Sequence, residues 1–297
     1  MRIGVTVPLA YGELADGRTP TFAETHAFAR VAEQVELDSI WVHDHLIYSP
    51  NDPEEGLHEA WTTLTGLAAL VPRVELGALV MCTSFRNAGV LAKMGATLDD
   101  LSGGRLILGV GCGWHEPEYQ AFGFPFDHLV GRFEEDLQVI HRLLRGETVD
   151  FDGKWSRYGG ARLLPPPARV PPILVAANGE RMLRLTAKWA DAWNTAWFGR
   201  VDGALRESTR DLDAACDAVG RQRTSIRRTV GLRVHEPGEG KNDNDGTDAD
   251  AAGLADLFDE LEALGYGDAL IWSFPKSLAA LERIAEARRI HLARRAD

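Results

Sequence analysis

His43, Asp44 and His45 stand in a row directly after the apolar run Ser39–Val42. A His-x-His pair at a strand end is half of a zinc site, but such a site needs further ligands from other elements. The later runs that read as strands end in Ala176-Ala177-Asn178, Asn194-Thr195-Ala196 and Trp272-Ser273-Phe274, with no histidine or carboxylate among them. His115 with Glu116 is the only further candidate pair, so no metal site is expected. Nucleophilic hydrolysis is also poorly supported, because the chain has no GxSxG turn to expose a serine. Cys82 and Cys112 sit at strand ends, where they read more readily as small buried thiols than as nucleophiles.

Other strand ends suit a flat organic ring. Gly77-Ala78-Leu79-Val80 is small and apolar, and Gly111-Cys112-Gly113 lets a ring approach the backbone closely. Asn178-Gly179 opens a helical run, and a helix N-terminus presents free N–H groups to an anion such as a cofactor phosphate. Each piece alone is ordinary βα-turn chemistry. Their convergence on one set of strand ends is what carries weight.

The elements that position these residues alternate along the chain. Strands are expected at Ile3–Pro8, Ser39–Val42, Glu75–Met81, Leu106–Val110, Ile173–Ala176, Ala192–Ala196, Ile226–Val234 and Ala269–Trp272. Helices are expected between them, the first opened by Thr21 and Glu24 in the capping-box spacing. Glu147–Tyr158 reads as a small hairpin around Asp152-Gly153, and Leu164–Pro172 as extended. Eight strands joined by helical crossovers predict a single α/β domain, a (β/α)8 TIM barrel with loop insertions over residues 1–297, whose catalytic residues belong at the C-terminal strand ends. An open dinucleotide-binding sheet is less favoured, since Pro8–Gly12 lacks GxGxxG. Residues 236–250 are polar and Gly-rich, and are expected to form a flexible loop on the active face: a lid, or a tolerated insertion.

The net charge of −12 argues against nucleic acid or an anionic membrane as partner. Three widely spaced cysteines give no disulfide framework, and Met1–Val5 runs straight into a strand, so a cytoplasmic protein acting on a small-molecule substrate is expected.

Several stretches resemble the luciferase-like monooxygenase superfamily. They are Ser39–Val42 with Asp44-His45-Leu46, Phe85–Asn87 through Leu91–Lys93 and Ala96–Asp99, Leu101–Trp114 with Glu118-Tyr119 and Ala121–Gly123, and Leu183–Asn194. The likeness is nearest to the branch that uses the deazaflavin coenzyme F420. It implies an oxidoreductase that transfers a hydride between coenzyme F420 and an organic substrate at the barrel mouth. The alternatives are an FMN-dependent monooxygenase on the same barrel and a non-catalytic cofactor-binding barrel. The resemblance places His45 as the proton donor or acceptor and Asp44 as a catalytic residue that hydrogen-bonds the cofactor. Ala78, Leu79, Val80 and Gly111 would back the ring, with a non-prolyl cis peptide at Leu79–Val80. Ala176, Ala177, Asn178, Gly179 and Glu180 would lie toward the phosphate, where Glu180 is unfavourable unless it points away. Some relatives carry a glutamate acid in the loop after the fourth strand. Trp114 stands in that region here, with Glu116 and Glu118 nearby, and the sequence assigns a proton-donor role to neither glutamate. Trp41, Trp114, Trp193 and Trp197 are pocket candidates, with Trp41 and Trp193 expected to pack in the barrel wall instead. The resemblance also implies a homodimer.

Overall fold

A computed structural model of the chain describes residues 1–47, 56–238 and 246–295. Eight parallel staves close into a barrel. β1 (Arg2–Thr6) pairs with β2 (Ser39–Val42) on one side and with the last strand, β11 (Asp268–Phe274), on the other. From β2 the ring runs through β3 (Glu75–Ala78), β5 (Leu106–Gly111), β8 (Ile173–Ala176), β9 (Ala192–Phe198) and β10 (Arg227–His235) back to β11. The third stave, expected as one strand, is broken. β3 stops at Ala78, the Leu79–Val80 peptide is cis as the resemblance implied, and pairing resumes with β5 at β4 (Met81–Cys82). A second non-prolyl cis peptide, Ala196–Trp197, lies within β9. The expected hairpin forms as β6 (Val149–Asp152) and β7 (Arg157–Ala161).

The helices form where the capping chemistry starts them. Thr21 and Glu24 bond reciprocally and open α1 (Phe22–Gln34). The Glu59 carboxylate accepts from the Trp61 and Thr62 N–H groups and opens α2 (Ala60–Leu70). α3 (Ala88–Leu101), a short α4 (Glu116–Phe122) and α5 (Leu129–Leu144) follow. Then come α6 (Glu180–Trp189), α7 (Gly203–Ala218), α8 (Ala251–Ala263) and α9 (Leu278–Ala293). Only α4 was not expected, because its seven residues are too few to show a hydrophobic period.

Two cores result. The larger lies between strands and helices, where apolar faces of both meet. The smaller fills the barrel lumen with Trp41, Ile107, Leu174, Ala192 and Leu270, against which Leu79 and Val80 pack. Trp41 is accommodated by glycine, since a Cβ at Gly77 would sit 2.6 Å from its ring. Trp41 and Trp193 are both packing residues, at 1% and 0% exposure.

In the segment after β10, Gly246–Asp250 return to the barrel. The Thr247 N–H donates to Arg233 O at 3.0 Å, the His235 N–H donates to Thr247 O at 2.8 Å, and Asp250 caps α8. These residues are ordered against the strand ends, and the centre of the expected flexible loop, 239–245, lies outside the described residues. No described helix is long and apolar enough to cross a membrane.

Candidate functional site

The turn after β2 sends its three polar residues in three directions. His43 is buried and stacks on Trp272 of β11, ring centroids 5.1 Å apart and 18° between planes. Burial drives its pKa down to about 3, so the ring is neutral at physiological pH. Asp44, also buried, accepts the Cys82 N–H at 2.9 Å and a two-pronged bond from Arg86 at 2.6 and 3.0 Å. Arg86 in turn reaches the Glu59 cap of α2 at 2.7 Å. Burial raises the Asp44 pKa, and Arg86 with the Cys82 N–H only partly offsets that. His45 turns to the opposite side of the mouth, where Nδ1 lies 3.0 Å from the Glu118 carboxylate.

Glu118 sits in the first turn of α4, at 2% exposure, and its second oxygen accepts the Leu46 N–H at 2.7 Å. It therefore fixes both the ring and the backbone that follows it. The neighbouring Glu116 faces outward to Gln120 at 3.0 Å. Proline at N2 and the left-handed Gly113 (φ +79°) set the entry to this helix. A Cβ on Gly113 would collide with Tyr119 Oη and Cys82 Sγ, so only glycine makes that turn. Tyr119 Oη donates to Cys112 O at 3.0 Å and touches Cys82 Sγ at 3.1 Å. Burial lifts the Cys82 thiol to about 12 and also raises Cys112, so neither is a thiolate nucleophile.

These side chains surround a cavity of about 290 Å³ at the C-terminal mouth. Asp44, His45 and Glu118 line one part of it, with Leu79, Val80, Gly111 and Ala176 among the apolar lining. Gly111 has a steric reason beyond ring approach: a Cβ there would lie 2.7 Å from Val80 Cγ2, so glycine makes room for the bulge of the third stave. Ala196 lines both this cavity and a second one of about 350 Å³ beside it. Asn178 and Gly179 line the second, at the start of α6. Gly179 is the N-cap of α6 and no side chain caps that end, so the first-turn N–H groups are available to an anion. Glu207 and Asp211 line the same cavity, which favours an anion at its Gly179 end over its α7 side.

The structure thus brings Asp44, His45, Leu79, Val80, Gly111 and Ala176 to one cavity and Asn178 and Gly179 to the adjoining one. Ala78 and Ala177 are buried behind them, the latter accepting the Trp193 indole N–H at 3.0 Å. Glu180 points away, with its side chain 91% exposed beside Arg184. The sequence gives no site role to Arg86, which holds Asp44, or to Asn194, which lines the first cavity, and it does not show the pairing of Glu118 with His45. Two glutamates two residues apart gave no sign of which one faces inward.

The profile of the family described as "Luciferase-like monooxygenase" matches residues 1–236. The chain is 34% identical over 234 residues to phthiodiolone/phenolphthiodiolone dimycocerosates ketoreductase of Mycobacterium tuberculosis (strain H37Rv), covering 72% of this chain and 61% of that protein. It is 32% identical over 172 residues to F420-dependent glucose-6-phosphate dehydrogenase of Amycolatopsis mediterranei, covering 56% and 51%. The chain spans about half to three-fifths of the length of these curated relatives. Among solved structures, an F420-dependent secondary alcohol dehydrogenase in complex with an F420-acetone adduct superposes with a TM-score of 0.80 at 17% identity, over 97% of this chain and 99% of that one. At that identity the likeness speaks to the fold.

Proposed function

The chain belongs to the luciferase-like monooxygenase family, and from that membership and the geometry of the barrel mouth we propose that it is an oxidoreductase that uses coenzyme F420 to interconvert an organic carbonyl compound and its alcohol. The observation that carries this reading is the His45–Glu118 pair, 3.0 Å apart, on the cavity whose apolar lining includes the Leu79–Val80 bulge. Two neighbouring cavities that share Ala196 suit a flat ring with a phosphate-bearing tail, because one has apolar lining at the bulge and the other lies at the uncapped α6 N-terminus. Leu79, Val80, Gly111 and Ala176 would hold the ring, and Gly179 with the first turn of α6 the phosphate. An F420-dependent relative at 32% identity favours the deazaflavin over FMN.

When bound, the cofactor supplies a ring carbon that gives or takes a hydride. The chain supplies the proton. Held by Glu118 at Nδ1, the His45 imidazole is the group that exchanges a proton with the substrate oxygen. Glu118 then stabilises the imidazolium each time it forms, as an orienting carboxylate does in other acid–base pairs. Asp44 holds the strand ends in register through Arg86 and Cys82, and it lines the cavity that would take the ring.

The test is a titration of purified protein with coenzyme F420 and with FMN, read by ultrafiltration, ring absorbance and tryptophan quenching. Saturable binding of coenzyme F420 alone is expected. A preference for FMN overturns the reading in favour of flavin monooxygenase chemistry, and binding of neither leaves a non-catalytic barrel.

A further inference from the structure

We propose that the substrate of this mouth is an uncharged carbonyl compound bearing a flat apolar ring, and that the Trp114 indole is the surface that covers that ring. The carbonyl rests on the proposed function; the ring does not. Trp114 lines the cavity yet is 68% exposed. An indole left this open at a cavity is apolar area that water covers until a ligand does. Its placement is built in. Gly113 makes a left-handed turn closed by Tyr119 and Cys82, and α4 begins two residues later with Pro117 in its first turn. The indole meets His45 edge to face, centroids 5.6 Å apart, and His115 at 5.1 Å. A carbonyl oxygen bonded to the His45 imidazole therefore sets its nearest ring substituent beside Trp114.

A second indole belongs to the same cavity. Trp197 packs against Trp272 at 5.2 Å and 79°, and Trp272 is itself stacked on His43 and Phe274. That part of the wall is a rigid aromatic pack, so adaptation to the ligand falls to Trp114. The charged groups of the cavity point the same way: Asp44 is already paired with Arg86 and Glu118 with His45, and no lysine or arginine stands among the described lining residues to meet an anionic substrate.

Acetophenone, acetone and glucose 6-phosphate are the probes, each titrated calorimetrically into the protein alone and into protein pre-mixed with coenzyme F420. Acetophenone is expected to bind saturably and at least about tenfold more tightly than acetone, with no binding of glucose 6-phosphate. Trp114→Ala should weaken acetophenone about tenfold or more, and Trp114→Phe should restore it to within about threefold. Circular dichroism and the coenzyme titration of each variant separate this from misfolding or cofactor loss. Equal affinity for acetone and acetophenone, tighter binding of glucose 6-phosphate, or unchanged acetophenone affinity in Trp114→Ala overturns the proposal. So does a Trp114→Ala variant that loses the coenzyme and keeps acetophenone. If acetophenone binds as expected while coenzyme F420 does not, the proposed function fails and the ring site stands.

Discussion

Glu118 lies 3.0 Å from His45 Nδ1 through one oxygen and accepts the Leu46 N–H at 2.7 Å through the other, so one buried carboxylate holds both the imidazole and the backbone that follows it. Glu118→Gln keeps the shape and the acceptor but removes the charge that stabilises imidazolium. It is expected to lower kcat by about 10- to 100-fold, while KM changes little. His45→Ala should cost about 10²- to 10⁴-fold in kcat. Steady-state kinetics with coenzyme F420 and acetophenone across pH 5 to 9 reads both. A Glu118→Gln profile that superposes on wild type would remove Glu118 from the mechanism.

The Asp44–Arg86 bond gives a stability prediction with a defined sign. Arg86→Met leaves the buried Asp44 carboxylate with the Cys82 N–H as its remaining bond partner among those seen here. Removing one partner of a buried pair costs about 3–5 kcal/mol, and urea unfolding at pH 7 should show a loss of that order. Burial already raises the Asp44 pKa, and losing Arg86 raises it further. A carboxyl whose folded pKa is raised stabilises the native state as pH falls and it protonates. The deficit of the variant should therefore shrink between pH 7 and pH 5, and a deficit that grows would contradict the assignment.

Glu13 and Lys276 close the barrel at its mouth. Lys276 Nζ bonds the Glu13 carboxylate and, at 3.0 Å, Val7 O, and it lies 4.6 Å from the Trp272 ring centroid. The other Glu13 oxygen accepts the Leu9 and Ala10 N–H groups at 2.5 and 2.8 Å. Burial raises the Glu13 pKa, but Lys276, His43 and the Leu9 N–H together outweigh it and hold it below the ordinary value. Burial also lowers Lys276; the carboxylate is the partner whose titration acid unfolding reads. Its stabilisation is complete above the usual carboxylate range and is lost as pH falls through the folded value. Lys276→Met should cost about 3–5 kcal/mol by leaving a buried unpaired carboxylate. Adding Glu13→Gln should recover part of that loss, and strictly additive losses would show that the two groups are not coupled.

The barrel was legible because its signals are long and repeated. Eight β-branched runs alternate with capped amphipathic segments, and the Thr21–Glu24 box formed as spaced. The strand ends followed from the barrel, which is why Asp44, His45, Leu79, Val80 and Gly111 meet at one cavity. The His45–Glu118 partnership depends on α4, a seven-residue helix too short to show a period, so the sequence does not show which of Glu116 and Glu118 faces inward. Arg86 stands in a family-like stretch, and nothing local shows that a residue beside a 3-10 turn reaches back to the second strand end. The sequence offers the glycines as room for a ring; Gly77 and Gly111 also make room for Trp41 and Val80, contacts between residues far apart in sequence or on neighbouring strands.

His43 gives the last prediction, separable from Glu13 by its pH window. Its ring is fully buried against Trp272, and burial lowers its pKa from 6.5 to about 3. Below pH 6.5 the unfolded chain takes up a proton that the folded chain refuses until about pH 3. The unfolded state then binds more protons, so this one group removes about 1.4 kcal/mol of stability per pH unit on the way down. His43→Phe keeps a ring on Trp272 and cannot protonate. Urea unfolding of both proteins at pH 7, 6 and 5 should give a wild-type loss steeper than that of the variant, with the gap opening below pH 6.5 and above the range where Glu13 titrates. Parallel slopes would mean that His43 protonates in the folded protein, and that its packing against Trp272 yields to admit water.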